Sequence, residues 1–172
     1  MNKAIFLDRD GTINYDVGYC AKVSDFSFIV GVRAAIKSLN DANYKVIVIT
    51  NQAGIGLGKF TIADLEGIHW HMNYCLGKTG AKIDKIYYCP HKIEDNCDCR
   101  KPSTKLLLQA AKDFDIDLTK SFTIGDRSYD IEIGKKVRCK TFLIGKDNNC
   151  GADYLVDSLY EATEKIFHNG SY

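Results

Sequence analysis

Residues 4–14 read AIFLDRDGTIN. Ala4–Leu7 is a continuous apolar run of the kind that forms a strand buried on both faces. It stops at Asp8 and Asp10, with Gly11 and Thr12 directly after. Two carboxylates this close repel each other unless a positive group or a shared proton sits between them. The arrangement costs stability, so it points to chemistry at a strand end.

Outward from this stretch, apolar runs alternate with helix-like segments, which is the βαβ rhythm of a parallel sheet covered by helices on both faces. The strands are predicted at Lys3–Asp8, Tyr44–Thr50, Ile83–Cys89, Ser121–Gly125 and Lys140–Ile144. Val32–Ala42 puts Val32, Ala35, Ile36 and Leu39 on one helical face, with Asn43 as its stop. Thr61 is placed to cap a helix running to Lys78, with Leu65, Ile68, Met72, Cys75 and Leu76 on its inner face. Leu106–Phe114, Asp130–Lys136 and Ser158–Phe167 are the other helices. The fold class is therefore α/β, a doubly wound Rossmann-like parallel sheet, with residues 1–172 expected as one domain. Between Asp10 and Thr50 one helix and one strand leave only the Gly11–Gly31 loop. No cap domain fits there, so loops must cover the site.

The chain of 172 residues is 45% hydrophobic and 26% charged, an ordinary globular composition. Its 23 Lys and Arg against 22 Asp and Glu leave a net charge of +1. A field that balanced offers no general attraction to nucleic acid or to an anionic membrane. MNKAIFLDRDG lacks the apolar stretch of a signal peptide, and no apolar run is long enough to span a bilayer. The expected setting is the cytoplasm and the expected state a monomer acting on a small molecule. Seven cysteines cannot all pair internally, and in a reducing compartment clustered cysteines are more often metal ligands.

In doubly wound sheets, ligands sit outside the carboxyl ends of the strands. There the predicted strands deliver Asp8 and Asp10, then Thr50-Asn51-Gln52, then the Cys89 segment leading to Arg100-Lys101, and finally Gly125-Asp126-Arg127 with Asp130 one turn on. Asp8, Asp10 and Asp126 converging without a cation would be unfavourable, and Mg²⁺, a hard ion with oxygen ligands, resolves the repulsion. Thr50 and Lys101 add donors for an oxyanion, and a phosphoryl group suits both Mg²⁺ and lysine. An EF-hand is excluded, because its sixth and twelfth positions would be Ile13 and Tyr19 rather than Gly and Glu.

The set DxDGT at Asp8–Thr12, Thr50, Lys101 and GDxxxD at Gly125–Asp130 resembles the haloacid dehalogenase (HAD) superfamily over essentially the whole chain. The resemblance implies an aspartyl-phosphate mechanism. Asp8 would be the nucleophile, and Asp10 would protonate the leaving oxygen and then activate water. Asp8, Asp126 and the main-chain oxygen of Asp10 would hold Mg²⁺, with Asp130 in support, and Thr50 and Lys101 would hold the phosphoryl oxygens. A non-catalytic phosphate-binding protein on the same fold is the rival reading.

Residues 89–102, CPHKIEDNCDCRKP, bring together Cys89, His91, Cys97 and Cys99. Two pairs of soft ligands suit a closed tetrahedral Zn²⁺ site that is structural rather than catalytic. A nucleic-acid zinc knuckle is disfavoured, since the loop carries Glu94 and Asp95 and no aromatic and basic stripe. This loop is similar to that of a small capless HAD group holding the heptose-1,7-bisphosphate 7-phosphatases and the histidinol-phosphate phosphatases. FLDRDGTINYDVGY, NQAGIGLGKFT and IYYCPH resemble the heptose enzymes. That likeness implies sugar-phosphate contacts from Asp16, Val17, Gly18, Tyr19, Asn51, Gln52, Ala53 and Arg100, and Arg127 is a spare cation for a second anion. The short Lys92–Asn96 spacer and Arg127 instead resemble the histidinol group, which keeps both substrates open.

Overall fold

The computed structural model describes residues 1–147 and 149–168. Six parallel strands form one sheet: β1 (Ala4–Leu7), β2 (Lys45–Asn51), β3 (Lys85–Cys89), β4 (Phe122–Gly125), β5 (Lys140–Ile144) and β6 (Tyr154–Val156). Their order is β3-β2-β1-β4-β5-β6. The chain leaves β1 toward β2 and β3 and returns to the other side at β4. The crevice where the winding reverses therefore opens at the carboxyl ends of β1 and β4. Five strands lie where the apolar runs predict them. β6, at three residues, is too short to carry a periodic signal.

Strand side chains alternate between faces, and this divides the core in two. Ile5, Leu7, Val46 and Val48 meet α1 (Val32–Asp41), α3 (Ile62–Gly77) and α6 (Leu159–His168) on one face. Ala4, Phe6, Ile47 and Ile49 meet α4 (Lys105–Asp113) and, through Ile133, α5 (Ser128–Lys136) on the other. A short helix, α2 (Ala53–Gly56), follows β2 directly. α1 buries Val32, Ala35, Ile36 and Leu39, as its spacing requires. Thr61 caps α3 by accepting from the Asp64 amide at 3.1 Å. The Gly11–Gly31 segment contains only one turn of 3-10 helix (Val23–Asp25) and is anchored on the core by Ile13, Cys20 and Phe26.

Among the described residues, no helix is long and apolar enough to cross a membrane.

At the opposite end of the sheet from the crevice, Ser121 ties β1 to β4. Its hydroxyl accepts from the Ala4 amide at 2.9 Å and donates to the Asp117 carbonyl at 2.7 Å, fully buried. Ser121→Ala leaves a buried amide without an acceptor, so its unfolding free energy in urea should fall by about 1–3 kcal/mol with an unchanged m-value. Ile68→Ala on the inner face of α3 should cost about 2–5 kcal/mol in the same measurement.

Candidate active site

Asp8 follows β1 and is buried, and Lys101 is brought beneath it from the far end of the cysteine-rich loop. The Lys101 ammonium lies 3.0 Å from Asp8 Oδ1, 2.6 Å from Asp130 Oδ1 and 2.6 Å from the Ile49 carbonyl oxygen. Burial works against its charge, but Asp130 and Asp8 outweigh it, so the lysine stays protonated more firmly than usual. Its backbone is gripped from both sides by Asn51, whose Oδ1 accepts from the Lys101 amide at 3.0 Å and whose Nδ2 donates to its carbonyl at 3.2 Å. The Tyr129 ring covers the ammonium at 5.3 Å.

The two carboxylates of the opening motif point into different networks. Asp10 is held by the Arg9 guanidinium, with Nη2 donating to Oδ2 at 2.8 Å and to Oδ1 at 2.9 Å. Asn14 Nδ2 and Gln52 Nε2 each donate to it at 2.9 Å. Burial alone would push this carboxyl up, yet Arg9, Asn14 and Gln52 hold it below the usual carboxylate range. The side chains that converge are therefore Asp8, Asp126 and Asp130, one oxygen from each within 4.8 Å of the others, and not the expected Asp8, Asp10 and Asp126. The reason is that Arg9, the residue between the two aspartates, already supplies Asp10 with its counter-charge.

The Asp8 and Asp126 pair suits a hard divalent ion. Asp126 Oδ1 is buried without a hydrogen-bond partner. Burial, then the charge of Asp8, pushes its carboxyl up to about 6 against the opposing pull of the Arg127 guanidinium. Asp130 is spoken for by Lys101 on Oδ1 and by the Arg127 amide on Oδ2 at 3.1 Å, which fits a supporting position. Gly11 has φ 83° and faces Asp126 so closely that any Cβ would overlap its carboxylate. Only glycine lets the loop pass here.

Thr50, one residue before the end of β2, lines this cluster, its hydroxyl accepting from Gln52 Nε2 at 3.0 Å. The cleft above has a volume of about 470 Å³ and is lined by Asp8, Asp10, Asp16, Gly18, Tyr19, Thr50, Asn51, Gln52, Ala53, Gly54, Arg100, Arg127 and Tyr129. Of the residues the sequence suggested for substrate contact, Val17 does not line it and is exposed. Arg127 does, but it is committed to carboxylates: Nη2 lies 2.8 Å from Asp16 and Nε 3.1 Å from Asp126. Arg100 Nη1 donates to the His91 carbonyl at 3.4 Å.

Cys89, His91, Cys97 and Cys99 come together at the start of the loop that ends in Arg100 and Lys101. Cys89 Sγ is 3.5 Å from Cys97 Sγ and 3.6 Å from His91 Nδ1. Cys99 Sγ is 3.7 Å from Cys97 Sγ and 3.3 Å from His91 Nδ1. A tetrahedral ion with metal–sulfur bonds of ~2.3 Å and a metal–nitrogen bond of ~2.0 Å has edges of about 3.5–3.8 Å, so the four residues fit one. Burial pushes Cys89 up to about 12 and Cys99 up, while the amides of Cys99 and Arg100 and the neighbouring thiols bring Cys97 down to about 7. The loop is also pinned to α2, since the Gln52 amide donates to the Cys89 carbonyl at 2.7 Å and the Gly56 amide to that of Pro90 at 2.9 Å.

Sequence reasoning missed Arg9, Asn14, His69 and Tyr129. Arg9 is fully buried, and its signal was its place between two aspartates in a strand-end motif. His69 signals itself as a polar residue at helical spacing from Leu65 and Met72, on the inner face of α3. Cys75, expected on that face, is only half-buried.

A HAD-hydrolase-like family model matches residues 98–162. The D-glycero-β-D-manno-heptose-1,7-bisphosphate 7-phosphatase of Haemophilus influenzae is 40% identical over 174 residues, covering 94% of this chain and 95% of that protein. The enzyme of the same name from Helicobacter pylori is 44% identical over 144 residues, 83% of each chain. The crystal structure of D,D-heptose 1,7-bisphosphate phosphatase from B. bronchiseptica, complexed with magnesium and phosphate, superposes with a TM-score of 0.91 at 29% identity, covering 98% of this chain and 99% of that one. With that identity along nearly its whole length, and with paired aspartates and a buried lysine at the crevice of the same fold, the chain belongs to the D-glycero-β-D-manno-heptose-1,7-bisphosphate 7-phosphatase family of HAD phosphatases.

Proposed function

We propose that the protein is a Mg²⁺-dependent phosphatase that removes the 7-phosphate of D-glycero-D-manno-heptose 1,7-bisphosphate through a phosphorylated Asp8. The observation that carries this reading is Asp8 held by Lys101 beside a second carboxylate, Asp10, kept in a separate network. Mg²⁺ held by Asp8, Asp126 and the main-chain oxygen of Asp10 would offset the carboxylate repulsion and draw charge from the phosphoryl oxygens.

Asp8 Oδ1 accepts from the Arg9 amide at 2.8 Å and from Lys101. That leaves Oδ2 to form the bond to phosphorus while the ester bond breaks. Asp10 gives its proton to the departing sugar oxygen. It is ionised at rest, and the proton arrives with the substrate, because a phosphate monoester loses its second proton near pH ~6. In the second half Asp10 takes a proton from water, the water oxygen bonds phosphorus, and the bond to Asp8 breaks. Thr50 and Lys101 bind the phosphoryl oxygens throughout.

The bisphosphate preference rests on the relatives' substrate together with Arg100. Arg127 is occupied by Asp16 and Asp126, so it serves as a latch between the first loop and the GDxxxD motif. Among the described residues Arg100 has no carboxylate within 4.0 Å, and it is the cation left to receive the second phosphate in a planar fork. Cys89, His91, Cys97 and Cys99 would hold a structural Zn²⁺ that fixes the position of Arg100 and Lys101. We take the enzyme as a one-domain monomer, and clustered cysteines kept as metal ligands suit the reducing cytoplasm.

Asp8→Asn should fold and bind substrate but lose nearly all turnover, and no phosphorylated protein should be trapped by acid quench. Asp10→Asn should lose ~10²–10⁴-fold in kcat. Substantial steady-state turnover by Asp8→Asn would overturn the covalent mechanism.

Elemental analysis of protein purified without chelator should find about one zinc per chain. Cys97→Ser should lose that zinc, soften the 89–101 loop to proteolysis and raise KM through Arg100 and Lys101. A fully active, stable protein devoid of zinc would refute the structural role.

The substrate is decided by comparing kcat/KM for the heptose 1,7-bisphosphate, the 7-monophosphate and histidinol phosphate. The bisphosphate should lead, and Arg100→Gln should narrow its advantage over the monophosphate by roughly tenfold or more. Faster hydrolysis of histidinol phosphate would return the assignment to the short Lys92–Asn96 spacer.

A further inference from the structure

Arg9 is the bulkiest side chain fully shut off from solvent. A cation buried that completely is strongly unfavourable unless its donors are matched. Two sides of the guanidinium are matched by Asp10 and by Gln52 Oε1, at 3.3 Å. On the third, Nη1 lies 3.2 Å from Nε2 of His69, which is 8% exposed on the inner face of α3. An arginine has donors only and does not give up its proton. His69 Nε2 must therefore be the acceptor, so the imidazole is neutral and its proton sits on Nδ1.

We propose that His69 is a positioning residue for the reaction: by accepting from Arg9 Nη1 it fixes the guanidinium, and the guanidinium fixes the Asp10 carboxylate against the leaving oxygen. The inference rests on the assignment of Asp10 as the proton-transfer group. Burial, and then the charge of Arg9, push the imidazole down to about 4, in agreement with the neutral form. His69 is well suited to the task because α3 holds it rigidly. Leu65, Ile68 and Met72 around it are fully buried, and the Tyr88 ring meets its edge at 6.1 Å. A histidine retained for packing alone would not need its acceptor nitrogen aligned on a guanidinium. An aliphatic residue at this position would leave one N–H of a buried cation unmatched, and the fork would tilt to find water or another acceptor. Glutamine could restore the acceptor, though not the shape.

The test uses leaving groups. A sugar alkoxide needs the proton of Asp10, whereas 4-nitrophenolate departs without one. His69→Leu, loaded with Mg²⁺, should lose roughly ten- to a hundredfold in kcat on the sugar phosphate with KM within about twofold. The first-turnover burst of 4-nitrophenol from 4-nitrophenyl phosphate should stay within about twofold of wild type. His69→Gln should recover most of the loss. Arg9→Lys, which keeps the charge and loses the fork, should show the same dependence on leaving group as His69→Leu. An independent reading comes from ¹⁵N NMR of the unmodified protein at neutral pH, where His69 should be the neutral Nδ1–H tautomer. Equal loss on both substrates, no loss on either, or an imidazolium signal overturns the inference. If Asp10→Asn itself turned over at the wild-type rate, the assignment of Asp10 would be what failed. If Asp10→Asn is inactive while His69→Leu is normal, only the role of His69 is lost.

Discussion

The Lys101 ammonium, closed off from water among Asp8, Asp130 and the Ile49 carbonyl, is the contact on which the rest of the site depends. A lysine taken out of water costs far more than a surface pair can return, and it is tolerated only when geometry supplies opposite charge and an acceptor together. Here the residue after β1 supplies one carboxylate, α5 the other, and β2 the carbonyl. Asn51 then locks the lysine backbone on both edges. The cysteine and histidine cluster a few residues earlier has the same mechanical consequence, because it fixes the loop from which Lys101 descends.

Around this contact the charges are sorted into two compartments. Lys101 belongs to Asp8 and Asp130, while Arg9 belongs to Asp10. The sorting gives the two aspartates of one motif separate partners, which in our reading is what lets one act as nucleophile and the other in proton transfer. Asp126 meets Arg127 through Oδ2, while its Oδ1 is buried without a hydrogen-bond partner and burial and the charge of Asp8 push the carboxyl up to about 6.

The cleft has loops in place of a cap. Arg127 ties Asp16 of the first loop to Asp126 of the fourth strand's end, so the rim is latched by an ion pair at 2.8 Å rather than by a folded lid. Exposed Tyr19 and the half-buried Arg100 line that rim, where our reading places substrate discrimination. A small substrate with a second anion suits such a site, since its own charge provides the grip that a lid would otherwise give.

The sequence by itself determined the α/β class, five of the six strands, the inner faces of the helices and the cysteine and histidine cluster. Each of these is written locally: continuous apolar runs in strands, the 3–4 period in helices, and ligands close enough in the chain to meet without help. It also placed Asp8, Thr50, Lys101 and Asp126 at strand ends, because a doubly wound sheet sends its strand ends to one edge. Only the tertiary structure decided which way the side chains turn once there. Asp130, not Asp10, joins the carboxylate cluster, because Arg9 captures Asp10. Arg127 turns to Asp16, 111 residues away, and so leaves the second phosphate to Arg100 in our reading. His69 meets Arg9 across 60 residues. These pairings depend on how α3, α5 and the first loop pack over the sheet, and no local periodicity encodes a contact between side chains so far apart in the chain.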